Sequence, residues 1–157
     1  MYNSFFTWGG VTIGSNVRFG NSARFSIYGP KAQIVIDDSV YAGTNVSIIT
    51  ADIVKIEKNV LLASYISIMG HNHGINPESN EFYGKQPLVG APVCIKEGAW
   101  IGERVCILPG VTIGKKSIIG SGSIVTKSIP DYAIAAGNPA KVLKQYNFET
   151  HKWERVS

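Results

Sequence analysis

Three histidines stand in a chain of 157 residues, and two of them are only two positions apart: His71 and His73, with His151 near the C-terminus. Imidazole is the side chain whose ordinary pKa lets it take up a proton near neutral pH. In an extended chain, residues two apart lean to the same side. Such a pair suits a reaction in which a weak nucleophile, an alcohol for instance, must lose its proton as it attacks. Spacing alone does not choose between His71 and His73. The alternative is that both are polar loop residues with no chemical task.

Composition narrows the setting. The formal charge is +4, and Lys115, Lys116, Lys127, Lys141 and Lys144 all fall in the C-terminal third. Such a bias suits an anionic ligand such as a phosphate-bearing cofactor, although each lysine could equally be a solvated surface residue. No basic run interleaves with aromatics, so nucleic acid is not an expected partner. No run of eighteen apolar residues occurs and the N-terminus lacks the layout of a signal peptide, so a cytoplasmic chain without membrane insertion is expected. With 45% hydrophobic content the length fits a single domain, 1–157.

The elements that must carry these residues are written in sixes. From Ile95 a branched aliphatic recurs at Ile101, Ile107, Ile113, Ile119 and Val125 without slippage. Earlier blocks repeat the period at Ile13, Phe19, Phe25, then Ile36, Ala42, Ile48, then Ile56, Leu62, Ile68. A fixed short period marks a repeat architecture. Six residues make one short strand and one corner, with β-branched residues on the strand and Gly or Asn at the corner. Every block holds a multiple of three inward positions, which predicts triangular coils, about five in all. Ile95 then stacks with Ile113, Ile101 with Ile119 and Ile107 with Val125, about 4.8 Å apart. A sandwich of ordinary strands would instead alternate with a period of two. Cys94 and Cys106 fall in the same slot two units apart, hence on different faces, and are expected as free thiols in a reducing compartment.

The period is lost between Ile68 and Cys94, which predicts a long loop over about 70–93 that opens with the two histidines. Loops of that length are commonly functional. Phe5, Phe6 and Trp8 make residues 1–10 a candidate cap on the open end of the stack. The repeat is taken as 11–128. Prolines then end it, and 129–157 is left as a C-terminal segment with at most a short terminal element.

Three stretches are more specific: Trp100-Ile-Gly running into Ile107-Leu-Pro-Gly-Val-Thr-Ile-Gly114, then Ile119-Gly-Ser-Gly-Ser-Ile-Val-Thr-Lys127, then Ala136-Gly-Asn-Pro-Ala-Lys141. Together with the hexads they resemble the hexapeptide-repeat acyltransferases, and within them the O-acetyltransferases of the maltose, galactoside, nodulation-factor and surface-polysaccharide kind. The likeness covers roughly residues 11 to 145. It implies an all-β, left-handed parallel β-helix, against the usual right-handed crossover rule. It implies a homotrimer with active sites between subunits under the long loop, acetyl-CoA as co-substrate and a sugar or glycan acceptor.

Residue by residue, the resemblance puts the catalytic histidine on His73, with His71 as the alternative. Where relatives carry a polar side chain that helps hold the oxyanion, this chain has Gly43, a departure. Asn45 or a backbone N–H could take that role, although Asn at a corner also simply tolerates an unusual φ. Asn76 and Glu78 fall where some relatives carry a partner to the histidine. Trp100 and Glu103 fall where the family meets the pantetheine arm, Ser121 and Thr126 beside them, and Lys127, Lys141 and Lys144 where cations meet phosphates. Glu103 departs from the small residue usual there, and Trp100 could instead pack at a subunit contact. Two alternatives stand beside acetyl transfer. A zinc hydratase of the gamma carbonic anhydrase type would need three converging histidines; a third histidine within the repeats is lacking, and no metal is expected. A non-catalytic trimeric scaffold would need none.

Overall fold

The computed structural model describes residues 6 to 156, with side chains described from Gly9 onward. The apolar side chains of the expected N-terminal cap lie outside the described residues. Hexads wind into the expected coils. The first holds β1 (Phe6–Trp8), β2 (Val11–Ile13), β3 (Arg18–Phe19) and β4 (Arg24–Ile27). The second holds β5 (Gln33–Ile36), β6 (Tyr41–Ala42) and β7 (Ser47–Thr50), the third β8 (Ile53–Ile56), β9 (Leu61–Leu62) and β10 (Ser67–His73). After β11 (Leu88–Gly90) come β12 (Val93–Ile95), β13 (Trp100–Ile101) and β14 (Cys106–Ile107), then β15 (Thr112–Ile113), β16 (Ile118–Ile119) and β17 (Ile124–Val125). The chain closes with β18 (Ala133–Gly137), β19 (Ala140–Asn147) and β20 (Lys152–Arg155).

Like strands of successive coils pair in parallel. The first face is β2-β5-β8-β12-β15, the second β3-β6-β9-β13-β16-β18, the third β4-β7-β10-β14-β17. Ile95 lies opposite Ile113, Ile101 opposite Ile119 and Ile107 opposite Val125, the expected eighteen-residue register. This is a β-solenoid, consistent with the left-handed β-helix.

Inward positions from Ile36 onward are almost completely buried. Removing each isoleucine side chain from water stabilises the coil by about 1.5–3 kcal/mol. Ile13, Phe19 and Phe25 are only half-buried, since among the described residues no coil lies beneath the first. Beside them opens a hollow of about 680 Å³ lined by Val11, Ile13, Phe25 and Ile27, at the first-coil end of the core.

The coil runs further than the prolines suggested. Ile129 bridges Ile113 and β18 pairs in parallel with β16, so a sixth, partial turn follows the five complete ones. Pro130 does not stop it, since it stands at a corner, where its missing N–H removes no ladder bond. The C-terminal segment is also more ordered than its aperiodic sequence implies. β19 runs antiparallel to β18 and β20 antiparallel to β19, widening the second face.

Candidate active site

β10 leaves the third face without bending. Ser67 to Gly70 pair with β7, and then His71, Asn72 and His73 pair antiparallel with Gly90, Val89 and Leu88. The histidines therefore sit on a two-stranded ribbon and not in an irregular loop. The period fails there because the strand has left the prism while remaining a strand. The irregular part is confined to residues 74–87, with one 3₁₀ turn at Tyr83–Lys85.

The extended backbone puts both imidazoles on one side, with ring centroids 6.3 Å apart. Tyr28, from the corner after β4, meets His71 edge-on at 5.4 Å. His71 is half-buried, and its Nδ1 is buried with no hydrogen-bond partner among the described residues. Burial first, and the neighbouring charge of His73 second, hold its pKa below the ordinary imidazole value. His73 is exposed. An exposed imidazole thus stands beside one whose neutral form is favoured.

The other candidates fall at three places. Asn45, Glu103 and Ser121 stack along the corner between the second and third faces. The Glu103 N–H donates to Ser121 Oγ at 3.1 Å, and the Glu103 carboxylate meets Arg104 at 3.1 Å. Asn45 has φ +55°, and its N–H donates to the Asn21 carbonyl at 2.9 Å. The left-handed backbone by itself accounts for asparagine there. Thr126 and Lys127 form the corner after β17, on the side from which the histidine ribbon leaves two coils earlier, an offset along the solenoid axis of roughly 10 Å at one strand spacing per coil. Lys141 and Lys144 lie on β19, opposite Ala136 and Ile134.

Trp100 projects from the second face, half exposed, into a cavity of about 550 Å³ shared with Lys116, Tyr132, Tyr146, Phe148 and Trp153. The last four escaped sequence reasoning. Edge-to-face contacts link Tyr132 with Phe148 and Tyr146 with both Phe148 and Trp153, at 4.9–5.3 Å. The alternation Tyr146, Phe148 was the available signal, and it lies outside the hexads. Within one chain the two histidines come together, as do Glu103 and Ser121, but the histidine ribbon and the Asn45–Glu103–Ser121 corner stand at different edges of the prism. Among the described residues no three His, Cys, Asp or Glu side chains gather as a metal site would require, and His151 lies in the turn between β19 and β20. Cys94 and Cys106 are free, and burial raises the pKa of both thiols.

The described chain is thus a parallel β-helix of hexads interrupted by one histidine-bearing excursion. Residues 95–127 match the family described as bacterial transferase hexapeptide (six repeats). WbbJ of Escherichia coli strain K12, named as an O-acetyl transferase of lipopolysaccharide biosynthesis, is 34% identical over 154 residues, covering 94% of this chain and 78% of WbbJ. The galactoside O-acetyltransferase of the same strain is 38% identical over 137 residues, 87% of this chain and 64% of that protein. Among solved structures, a galactoside acetyltransferase in complex with coenzyme A superimposes with a TM-score of 0.68 at 33% identity, covering 90% of this chain and 72% of that one. A maltose O-acetyltransferase from Clostridium difficile 630 gives 0.66 at 31% identity, covering 81% and 70%. The chain belongs to the hexapeptide-repeat acetyltransferase family.

Proposed function

We propose that this protein is an acetyl-CoA-dependent O-acetyltransferase that moves an acetyl group directly onto a hydroxyl of a sugar, a surface polysaccharide or its precursor, with His73 as the general base. The observation that carries the reading is the solvent-open imidazole of His73 at the root of the excursion, on the same side of the prism as Thr126 and Lys127. The acetyltransferase relatives, one solved with coenzyme A, support the donor and the acceptor class.

His73 accepts the proton of the acceptor hydroxyl as that oxygen attacks the thioester carbonyl. The tetrahedral oxyanion so formed collapses with cleavage of the C–S bond, and the departing sulfur takes the proton that His73 accepted. His71 is the less suited of the pair because Tyr28 packs on it and its Nδ1 is buried. Lys127, Lys141 and Lys144 would meet the phosphates of the donor, while Ser121, Thr126, Glu103 and Trp100 would line the path of its arm. Asn45 or a corner N–H would receive the oxyanion.

Three copies would complete the site, since the histidine ribbon of one protomer and the Asn45–Glu103–Ser121 corner of a neighbour can then face each other. A stripe on the second face supports assembly: Tyr41, Leu61 and Trp100 are successive register partners, all exposed and apolar. Free thiols at Cys94 and Cys106 fit the reducing cytoplasm as the place of action.

The test follows thiol release from acetyl-CoA. His73→Ala is expected to lower kcat by at least about a hundredfold, the scale of general-base loss, while coenzyme A still raises the melting midpoint. Full activity in His73→Ala with loss in His71→Ala would move the base to His71. Full activity in both would refute the chemistry.

A further inference from the structure

The excursion between β10 and β11 is folded around one side chain. Gln86 is 6% exposed. Its amide oxygen accepts the Asn76 N–H at 2.9 Å, and its amide nitrogen donates to the carbonyls of Asn76 at 2.9 Å and Glu81 at 3.2 Å. A buried amide is costly unless it is satisfied, and here its bonds go to backbone that has no strand partner of its own. Two local turns tighten the same stretch: Asn76 Oδ1 accepts the Glu78 N–H at 3.0 Å and Ser79 Oγ accepts the Glu81 N–H at 3.1 Å.

This fold reaches the proposed base directly. Gly74 follows His73, and its N–H donates to the Pro87 carbonyl at 2.9 Å. A Cβ at Gly74 would stand 2.9 Å from the Gln86 Cβ and 3.0 Å from its Oε1, so the absent side chain is what lets Gln86 pass. Residues 74–87 are therefore a preformed lobe, keyed into the strand that bears both histidines.

The lobe has a hollow of about 180 Å³ lined by Asn76, Ser79, Glu81, Phe82, Tyr83 and Gln86. That is the share of liquid volume of roughly six waters, enough for one pyranose ring. Phe82 and Tyr83 are 67% and 56% exposed, with no core behind them to explain two adjacent aromatics. An aromatic face beside amide, hydroxyl and carboxylate groups is complementary to a sugar, which offers apolar C–H faces and a rim of hydroxyls. Glu78 and Glu81 outnumber Lys85, which stands 5.7 Å from the Phe82 ring centroid, and so the lobe disfavours an acidic sugar.

We infer that this hollow is an acceptor subsite for one neutral pyranose unit, shaped by Gln86 as a positioning residue. The inference rests on the reading of the protein as a sugar acetyltransferase. Its test is steady-state kinetics with acetyl-CoA and the methyl pyranosides of galactose, glucose, mannose and N-acetylglucosamine, with galacturonic and glucuronic acids as charged counterparts. Wild-type protein is expected to acetylate at least one neutral glycoside in preference to the acids. Phe82→Ala should raise the KM for that sugar about tenfold, the scale of one lost stacking or hydrogen-bonding contact, and leave the KM for acetyl-CoA and the oligomeric state unchanged. Glu81→Gln should narrow the gap between neutral and acidic sugars. Gln86→Leu, which keeps bulk but removes all three amide bonds, should raise the sugar KM and lower kcat together, with Gln86→Glu restoring part of the kcat. If the wild type acetylates a sugar but Phe82→Ala and Glu81→Gln keep its KM, the subsite is wrong and the enzyme class stands. Dissociation of the assembly in Phe82→Ala would also overturn it, because the ring would then cover a neighbouring copy. Coenzyme A binding with no sugar turned over at all would remove the sugar reading itself.

Discussion

The His71 and His73 rings lie 6.3 Å apart, close enough for a charge on His73 to disfavour a proton on His71. Burial and His73 both push the His71 pKa down, so His71 stays neutral to lower pH than an ordinary histidine. The sign of this shift separates the two candidates. A base must be unprotonated, so activity falls as pH drops through the pKa of whichever ring does the work. If His71 were the base, the acid limb of the kcat profile would lie below the ordinary imidazole range. Substituting His71 by Gln would then abolish that limb together with the activity. With His73 as base, the His71→Gln variant is expected to keep most of its kcat together with its acid limb. A pH profile of kcat for the two proteins decides it. The sequence displayed the pair and its spacing. It could not display that Tyr28, from the first coil, would pack on one ring and leave the other open, because that asymmetry comes from three-dimensional neighbours.

Strands and corners were the most legible part of the chain. A residue every sixth place must face inward if the coil is to have a core, and Ile95, Ile101 and Ile107 duly stack on Ile113, Ile119 and Val125. Legibility ended where a segment kept its strand character but left the prism, as β10 does after Gly70, and where aromatics outside the hexads built β19 and β20. The corners also impose a demand that the hexad pattern hides. At Gly114 a Cβ would collide with the backbone of Pro130 and Asp131, which begins the partial sixth turn. Backbone cannot swing aside as a flexible side chain can. Gly114→Ala should therefore destabilise the protein by about 1–3 kcal/mol, the usual cost of overpacking. Urea unfolding monitored by circular dichroism measures it; a midpoint equal to wild type would show that the corner can open.

At the scale of the molecule, one chain holds its candidate groups at separate edges, and the proposed trimer would bring them together. Leu61 lies between Tyr41 and Trp100 on the exposed stripe of the second face, with its side chain outward and the core untouched. Leu61→Glu should convert the assembly to monomers in sedimentation and remove acetyl transfer, while the circular dichroism spectrum keeps its β signature. Wild-type sedimentation in this variant would put the contact on another face. The five complete coils and their register could be read from one chain's sequence, though the partial sixth turn could not; a stripe of three apolar side chains on an outer face is a candidate contact, and the separated edges suggest with what.

The two ends of the solenoid share a device. β1 runs antiparallel to β2 at one end, and β19 runs antiparallel to β18 at the other. A stack of identically oriented strands is an open template, able in principle to add further copies without limit. At the C-terminal end the reversed strand β19 is itself covered by β20, which places Lys152, Glu154 and Arg155 along the outer border of that sheet, and charged side chains there disfavour addition of a further strand. The last strand of the second face is thus covered rather than left as a template, and trimming residues 140–156 should expose β18 and promote end-to-end association, read as larger species in sedimentation.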